Sequence, residues 1–259
     1  MAGAGARPAL GDIDLDIRRG EIVGVAGVEG NGQSELIAAV MGLVDLEHGS
    51  VHVGDDDISG WTTRHRRERG VACVPEDRQR DGLLLDAPLW ENTALGQQTR
   101  SPFVKGHFID RQGARRRTQE VITTYGVRTP NADVRAGALS GGNQQKLIMG
   151  RELTSNPRVL VAAHPTRGVD VGAQAAIWEE LRQARAAGLA VLLISADLQE
   201  LVGLSDTLVV LYGGAMVARL DPATTTFDDL GCYMTGTGPG DPTEPTTAGS
   251  DPDPAGADR

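Results

Sequence analysis

The octapeptide LSGGNQQK, residues 139–146, says more about this chain than any other stretch of its sequence. A Ser-Gly-Gly turn that runs into a polar helix start presents free backbone N–H groups, a hydroxyl and the positive end of a helix dipole, which together favour a phosphate. A second glycine-rich stretch, GVEGNGQS at residues 27–34, is also typical of a phosphate loop. Two such elements far apart indicate a nucleotide held between two domains. The alternatives are a chance glycine-containing helix cap and a tight strand-to-helix turn that meets no nucleotide.

Apolar runs on either side of these loops predict a parallel β-sheet. The runs are continuous rather than alternating, which is typical of strands buried on both faces. We expect strands at residues 22–26, 71–74, 159–163, 190–194 and 208–212, with one short early strand at 13–17. Amphipathic helical patterns lie between them at 34–43, 173–187 and 197–204. This alternation of strands and helices predicts a doubly wound α/β fold.

The pattern changes twice along the chain. Between Pro88 and Leu153 the strand signals stop and the sequence becomes charged and helical, which indicates an inserted helical subdomain at residues 88–154. We expect residues 1–87 and 155–235 to form a discontinuous nucleotide-binding core around it. Residues 236–259 are rich in Pro, Gly, Thr and Asp, so they bury too little apolar surface to fold, and we expect an acidic disordered tail.

Composition excludes several classes of protein. Of the 259 residues 40% are hydrophobic but only 3% aromatic, so the core must be aliphatic. The net charge of -10 argues against nucleic-acid binding, which favours a basic surface. Two cysteines, Cys73 and Cys232, form neither a disulfide framework nor a metal-ligand spacing, which favours a reduced, cytosolic protein. No apolar run reaches the ~20 residues that span a bilayer, so we expect any membrane role to come through a partner.

The glycine-rich loop departs from a nucleotide-binding loop at one position. The pattern G-x4-G-K-[ST] uses glycines to wrap phosphates, a Lys to neutralise them and a hydroxyl to bind Mg²⁺. Gln33 stands in place of the Lys, and a neutral amide supplies no charge. At an effective dielectric of 20, a unit charge lost near 4 Å removes about 4 kcal/mol of gross attraction. The candidate nucleotide-binding residues here are Gly27, Gly30, Asn31, Gly32, Gln33 and Ser34, with Ser34 also a weak metal ligand.

Five stretches together resemble one family. They are GVAGVEGNGQSEL, VPEDRQRDGLLLD, LSGGNQQKLIMGREL, AAHPTRGVDVGA and LSDTLVVLYGG. They are similar to the C-terminal nucleotide-binding half of carbohydrate-uptake ABC importers, closest to the branch for nucleosides and simple sugars, over about residues 10–234. The resemblance implies the P-loop NTPase fold of an ABC ATPase, with ATP and Mg²⁺ as cofactors. Such proteins carry two fused ATP-binding domains, and the sequence leaves open a split gene, a misplaced start or a remnant.

The resemblance also implies that this domain's own hydrolytic site is degenerate. In the family, a strand ending in Asp-Glu supports the metal and polarises the attacking water, and a later His contacts the γ-phosphate. The positions that differ are Gln33, Glu76 in place of a Gln, Ala163 and His164 in place of Asp-Glu, and Ala196 in place of the His. Glu76 joins the candidate nucleotide-binding residues. His164 is a candidate replacement base, although a plain strand-end histidine is the alternative.

The features offered to a partner domain are unaltered. The resemblance implies that the signature residues Ser140, Gly141, Gly142 and Gln144 cap a nucleotide held by a second ABC ATPase domain, and that Asp170 lies in a loop crossing that interface. Signature, phosphate loop and interface loop together predict a subunit of an importer for nucleosides or simple sugars. Its expected partners are an intact N-terminal-type ATPase domain, permease subunits and, indirectly, a substrate-binding lipoprotein, with no nucleic acid. We expect it in the cytoplasm, at the inner face of the plasma membrane.

Three other functions remain open from the sequence. A binding or regulatory module would hold nucleotide without transport. A soluble ABC ATPase acting on DNA or ribosomes would need the hydrolytic carboxylates that this chain lacks, and its acidic charge argues against that role. The third alternative, which the altered positions also allow, is a fragment without function.

Overall fold

A six-stranded sheet with strand order β10-β9-β1-β8-β7-β4 forms the centre of the protein. The computed structural model describes residues 10, 11 and 13–238. The strands of this sheet are β1 (Ile22–Ala26), β4 (Val71–Val74), β7 (Val159–Ala163), β8 (Ala190–Ile194), β9 (Thr207–Tyr212) and β10 (Ala215–Leu220). All neighbours are parallel except β10, which pairs antiparallel with β9 at one edge. The predicted α/β class is confirmed, with β10 as an addition that the apolar runs did not predict.

The central strands are buried on both faces, as their continuous apolar sequences require. Every residue of β1 and β8 is buried, and the residues of β1 contribute alternately to two apolar clusters on opposite sides of the sheet. Because β1, β7 and β8 run in the same direction, their carboxyl ends meet at one edge. The segments that follow them, including Gly27, His164 and Ser195, therefore lie side by side, which is where open parallel sheets place their ligands.

Eight α-helices cover the sheet and extend beyond it in the described part of the chain. They are α1 (Gln33–Met41), α2 (Thr63–Glu68), α3 (Leu89–Ala94), α4 (Arg111–Thr124), α5 (Gly141–Leu153), α6 (Val171–Ala186), α7 (Leu198–Leu204) and α8 (Phe227–Met234). The predicted helices 34–43, 173–187 and 197–204 correspond to α1, α6 and α7 with shifted ends. Helix α1 ends early because Gly42 turns left-handed, with φ 66°, and the buried Arg66 guanidinium binds the carbonyls of Ala39 and Val40.

Two predictions of strand position are wrong. Residues 13–17 form no strand, although Ile13, Leu15 and Ile17 alternate and pack against the core, because their backbone joins no ladder. Strands also occur between Pro88 and Leu153, where none was expected: β5 (Val104–Lys105) and β6 (Phe108–Ile109) form a small exposed hairpin. A second small hairpin joins β2 (His52–Val53) to β3 (Asp56–Asp57). Strands of two residues are too short to give a periodic signal in the sequence.

The buried carboxylate of Glu152 joins helix α5 to the sheet. It is fully buried and accepts hydrogen bonds from the guanidinium groups of Arg67 and Arg151, each at 2.8 Å, and from the backbone N–H of Cys73 in β4 at 3.4 Å. Arg151 also donates to the carbonyl of Gly82 at 2.8 Å. Buried ionic groups hold together only when each has its partners. This network therefore fixes α5, and the signature at its start, to the strand and the turn beside it.

Most of the expected tail, residues 239–259, lies outside the described residues. Its first residues close helix α8: the N–H of Gly236 donates to Tyr233 at 3.2 Å and that of Thr237 to Cys232 at 3.0 Å. The predicted boundary at residue 236 therefore falls inside the turn that ends α8.

We predict that Glu152→Ala lowers the free energy of unfolding by about 3–5 kcal/mol, because it leaves two guanidinium groups without their buried partner. Urea denaturation followed by circular dichroism measures this change. Glu120→Ala is the matched control, since Glu120 is exposed and, in the described part of the chain, forms a surface ion pair with Arg117. We expect the free energy of unfolding of this control to stay within about 0.5 kcal/mol of the parent's. A loss for Glu152→Ala as small as that of the control would contradict the role of the network.

Candidate functional site

A pocket of about 310 Å³ opens at the carboxyl edge of the sheet. It brings together the phosphate loop, the segment after β4 and the ends of β7 and β8. Its lining includes Gly27, Gly30, Gln33, Ser34, Glu76, His164, Thr166, Arg167, Ser195, Ala196, Asp197 and Glu200. The structure therefore places Gln33, Glu76, His164 and Ala196 around one cavity, while Ala163 is buried at the end of β7.

The backbone of the phosphate loop has the shape that glycine permits. Gly30 and Gly32 adopt φ values of 91° and 110°, which L side chains rarely tolerate, and Gly32 is the N-cap of α1. Asn31 ties the loop to the β9–β10 turn, because its side-chain oxygen accepts the N–H of Gly213 at 2.9 Å and its carbonyl accepts that of Gly214 at 3.1 Å. The loop is thus fixed from outside as well as by its own turns.

The side chain of Gln33 fills the concave side of this loop. It is only 8% exposed, its amide oxygen accepts the N–H of Asn31 at 3.1 Å, and its amide nitrogen donates to the carbonyl of Val28 at 3.2 Å. A Cβ on Gly27 would collide with the same amide nitrogen. The amide oxygen therefore occupies a backbone donor of the kind that a phosphate oxygen would use.

Ser34, the predicted metal ligand, is paired with Glu76. Its hydroxyl donates to the Glu76 carboxylate at 3.2 Å, and the same carboxylate lies 3.8 Å from the Arg167 guanidinium and 4.0 Å from His164 Nε2. Glu76 thus connects the phosphate loop to the turn after β7. No group of three or more His, Cys, Asp and Glu side chains within residues 10–11 and 13–238 is arranged to hold a metal ion.

His164 occupies an unusual backbone position at the end of β7. Its φ of 46° is left-handed, which is uncommon away from glycine and often marks a functional site. Its N–H donates to Ile194 at 2.7 Å, and its Nδ1 accepts the N–H of Ala196 at 3.3 Å, which leaves Nε2 as the protonated nitrogen of the neutral ring. Burial lowers the pKa of His164 below its usual 6.5, although the nearby Glu76 carboxylate opposes that shift.

The pocket is lined by more acidic than basic side chains. Four carboxylates line it, against the single guanidinium of Arg167 among the described lining residues; the four are Glu29, Glu76, Asp197 and Glu200. Glu200 is fully buried, and one of its oxygens accepts from Thr166 at 2.8 Å and Trp178 at 3.0 Å. The pocket therefore combines a loop whose backbone is typical of phosphate binding, occupied here by the Gln33 amide, with acidic side chains around it.

The signature lies at the start of α5 with its donors open. Ser140 is the exposed N-cap, yet within the described chain its side chain makes no capping bond to the helix and instead accepts the Asn143 amide at 2.9 Å. Gly142 packs against Asp170 and Ala173, since an added Cβ would lie 3.5 Å from the Asp170 carboxylate and 3.2 Å from the Ala173 Cβ. Asp170 itself caps α6 through the N–H of Ala173 at 2.9 Å. Signature and interface loop are therefore one surface.

One predicted site residue is buried instead of exposed, and two residues outside the predicted site make contacts that the sequence did not indicate. Gln144, which we expected to face the partner's nucleotide, is 2% exposed; its amide donates to Ala136 at 3.2 Å and accepts from Gln79 at 3.4 Å. Arg78 and Glu200 carry contacts that the motifs did not indicate. Both follow Asp caps, Asp77 and Asp197, so a turn could be predicted there, but their partners lie far away in sequence.

Comparison with known proteins identifies the family. The model of the ABC transporter family matches residues 10–167. The chain belongs to the ABC transporter family. It is 44% identical over 225 residues to the guanosine import ATP-binding protein of Bacillus subtilis, covering 87% of this chain and 44% of that protein. It is 43% identical over 224 residues to the nucleoside import ATP-binding protein of Lactococcus lactis, covering 86% and 44%. The resemblance to ATP-binding proteins for nucleosides and simple sugars is confirmed.

The chain covers only part of these relatives. It shares its fold with solved ATP-binding cassettes. It spans less than half the length of each curated relative named above. A nucleotide-free ATP-binding cassette from an ABC transporter superposes with a TM-score of 0.70 at 23% identity, covering 82% of this chain and 85% of the other. Another cassette gives 0.74 at 22% identity, covering 91% and 94%. At these identities the structures establish the fold alone. That the chain corresponds to the C-terminal half stays a prediction.

We predict that Gln33→Lys raises the affinity of the isolated chain for ATP by at least about tenfold, because it returns a cation to the loop and removes the amide from the cradle. Titration calorimetry measures the dissociation constant. Gln112→Lys adds the same charge on an exposed helix position outside the pocket and should leave the affinity unchanged. An equal gain in both variants would mean that net charge, and not the loop, limits binding.

We predict that His164 makes stability fall as the pH drops below about 6.5. The unfolded chain binds a proton near that pH, whereas the folded chain, whose His164 pKa is lowered, binds it only at lower pH. Stability is therefore lost between the two pKa values and levels off below the folded one. Urea unfolding at about pH 7.5 and about pH 5 should show a larger loss for the parent than for His164→Gln. Equal losses would refute the assignment.

Proposed function

We propose that this chain is an ATP-binding subunit or domain of an importer for nucleosides or simple sugars, whose own hydrolytic site is degenerate and whose signature completes a partner's site. One observation carries the proposal. The chain has two phosphate-binding helix starts of opposite condition: α1 begins behind a loop filled by Gln33, whereas α5 begins with open donors at Ser140.

The names of the relatives support the transport role. Those named above import guanosine and nucleosides, and other relatives at 40% and 38% identity are a glucose import ATP-binding protein of Haloferax volcanii and a ribose import ATP-binding protein of Rubrobacter xylanophilus. We leave the choice between nucleoside and sugar to experiment.

The nucleotide site of this chain lacks several groups that the family uses for hydrolysis. Gln33 provides no cation, Ala163 no metal support, and Ala196 no contact to a γ-phosphate, while the four acidic walls oppose a polyanion. His164 could accept a proton only as a neutral base, and its Nδ1 already accepts the N–H of Ala196. Groups in one site act as a unit, so the loss of one costs nearly as much activity as the loss of several. We therefore expect ATP and Mg²⁺ to bind weakly there, through Gly27, Gly30, Asn31, Gly32, Ser34 and Glu76.

The chemistry offered to the partner is electrostatic. First-turn N–H groups of α5, the Ser140 hydroxyl and the helix dipole all present positive potential at one point of the surface. Donors fixed in advance against developing charge are often worth about 10²–10³ in rate each. The partner domain would supply metal, water and base, while Ser140, Gly141 and Gly142 close over its nucleotide and Asp170 lines the interface.

The proposed assembly follows from the same division of labour. We propose the division that the sequence predicts: a core of residues 1–87 and 155–235, of which the structure describes residues 10, 11, 13–87 and 155–235, and a helical subdomain of residues 88–154 that carries the signature. The partners are an intact N-terminal-type ATPase domain and permease subunits, with a substrate-binding lipoprotein acting indirectly. The helices within residues 10–11 and 13–238 are all too short or too polar to cross a bilayer. We place the chain at the inner face of the plasma membrane through its permease.

We predict that Ser140→Arg abolishes transport-coupled ATP hydrolysis when this chain is co-expressed with an intact ATPase domain and permease, because a bulky side chain blocks the donors. Gln33→Ala should have a mild effect, since the site behind it does not hydrolyse. Phosphate release in membranes or detergent measures both.

Two controls make the comparison interpretable. Ser50→Arg changes an exposed serine ahead of β2 in the same way and should leave turnover unchanged. The isolated chain should release no phosphate above background. If Gln33→Ala were the damaging variant and Ser140→Arg the mild one, the working site would be the one described here as degenerate.

A further inference from the structure

Arg78 lies where the two halves of the signature surface meet. It begins the π-helical turn Arg78–Gly82 that follows β4. Its guanidinium reaches across to the loop after β7, donating from one terminal nitrogen to the carbonyl of Arg167 at 2.5 Å and from the other to that of Gly168 at 3.2 Å. One side chain thus binds two successive carbonyls of the loop that leads to Asp170.

The same guanidinium packs against the first residue of the signature helix. A Cβ on Gly141 would lie 2.6 Å from the terminal nitrogen of Arg78 and 3.2 Å from the carbonyl of Gly168. Gly141 therefore has no room for a side chain because the Arg78–Gly168 pair fills that space. Gly168 also adopts φ 65°, so its carbonyl direction depends on a left-handed turn that few residues can replace.

The loop is held from a second side by the neighbouring segment. Glu76, two residues before Arg78, lies 3.8 Å from the guanidinium of Arg167, while Arg78 binds the main-chain carbonyl of the same residue. The turn itself is anchored, since Asp77 accepts the N–H groups of Gln79 at 2.9 Å and Arg80 at 3.1 Å. Arg78 is therefore projected from a fixed support towards both the loop and the helix start.

We propose that Arg78 is a positioning residue of the signature surface: it holds the loop at Arg167–Gly168 against the start of α5, so that Ser140 and Asp170 meet a partner domain in one fixed arrangement. The role rests on the proposed function for its effect on turnover, but not for its effect on the loop. A planar guanidinium is needed because a lysine ammonium is a single point and cannot bind two carbonyls in the same geometry.

The first test uses the isolated chain and needs no partner. Hydrogen exchange is measured at the hydrogen-bonded amides of Gln144, Arg167 and Val169 and, as a reference, at those of strand β8. Arg78→Ala should accelerate exchange in the first group by about tenfold and leave β8 unchanged, because only the local opening is affected. Arg78→Lys should give an intermediate value, and it serves as the readout if Arg78→Ala does not fold.

Arg80→Ala is the matched control for this test. Arg80 stands in the same turn, but its side chain is exposed and, in the described part of the chain, forms its ion pair with the adjacent Asp81, so its loss should not alter exchange at these amides. Unchanged exchange in Arg78→Ala, or the same acceleration in Arg80→Ala, would overturn the proposal.

The second test uses the assembled importer. Arg78→Ala should lower kcat for ATP hydrolysis by about tenfold while KM changes little, because nucleotide binds in the partner's site and only the closing surface is disordered. Turnover equal to the parent, in an assembly that Ser140→Arg abolishes, would overturn the positioning role. If Ser140→Arg is itself without effect, the proposed function fails, and exchange in the isolated chain alone decides the role of Arg78.

Discussion

The protein depends on one buried carboxylate that ties its helical part to its sheet. Glu152 lies in the last turn of the helix that starts with the signature, and Arg67, Arg151 and the backbone of β4 all donate hydrogen bonds to its carboxylate. Burying an ion without these partners would cost several kcal/mol, so the helix can take only the position in which all of them are met. The orientation of Ser140, twelve positions before this anchor at the other end of α5, follows from that constraint.

The treatment of helix starts separates structural ends from functional ones. Side chains of Asp110, Asp170, Asp197 and Thr226 cap α4, α6, α7 and α8, and Thr62 caps α2. Among the described helices, α1 and α5 lack such a cap, as does the short α3; α1 follows a glycine-rich loop, and α5 begins with two glycines, Gly141 and Gly142. A capped end has already satisfied its donors. An end left open at the surface keeps them for a ligand, and at α1 the amide of Gln33 takes up part of that capacity.

Sequence reasoning succeeded where the determining interaction is local. Continuous apolar runs located β1, β4, β7 and β8 at their observed bounds, and motif order placed Glu76 and His164 beside the phosphate loop. It failed at residues 13–17, where the alternation was real but no neighbouring strand was available to pair. The burial of Gln144 and the contacts of Arg78 depend on segments that are distant in sequence, which no spacing in one sequence encodes. The amide of Gln33 folds onto backbone atoms two and five residues earlier, a local side-chain conformation that the motif itself does not specify.

The amide oxygen of Gln33 accepts a backbone N–H of its own phosphate loop. This contact has a consequence for the cycle of a transporter with two nucleotide sites. Gln33 keeps the loop in shape through Asn31 and Val28 without help from a bound molecule. In the proposed assembly, the interface at the partner's nucleotide site would then open and close with ATP binding and product release. The interface at this chain's own phosphate loop would stay closed and act as the hinge. Each transport cycle would consume one nucleotide, and the two nucleotide sites would differ in the timing of their opening as well as in structure.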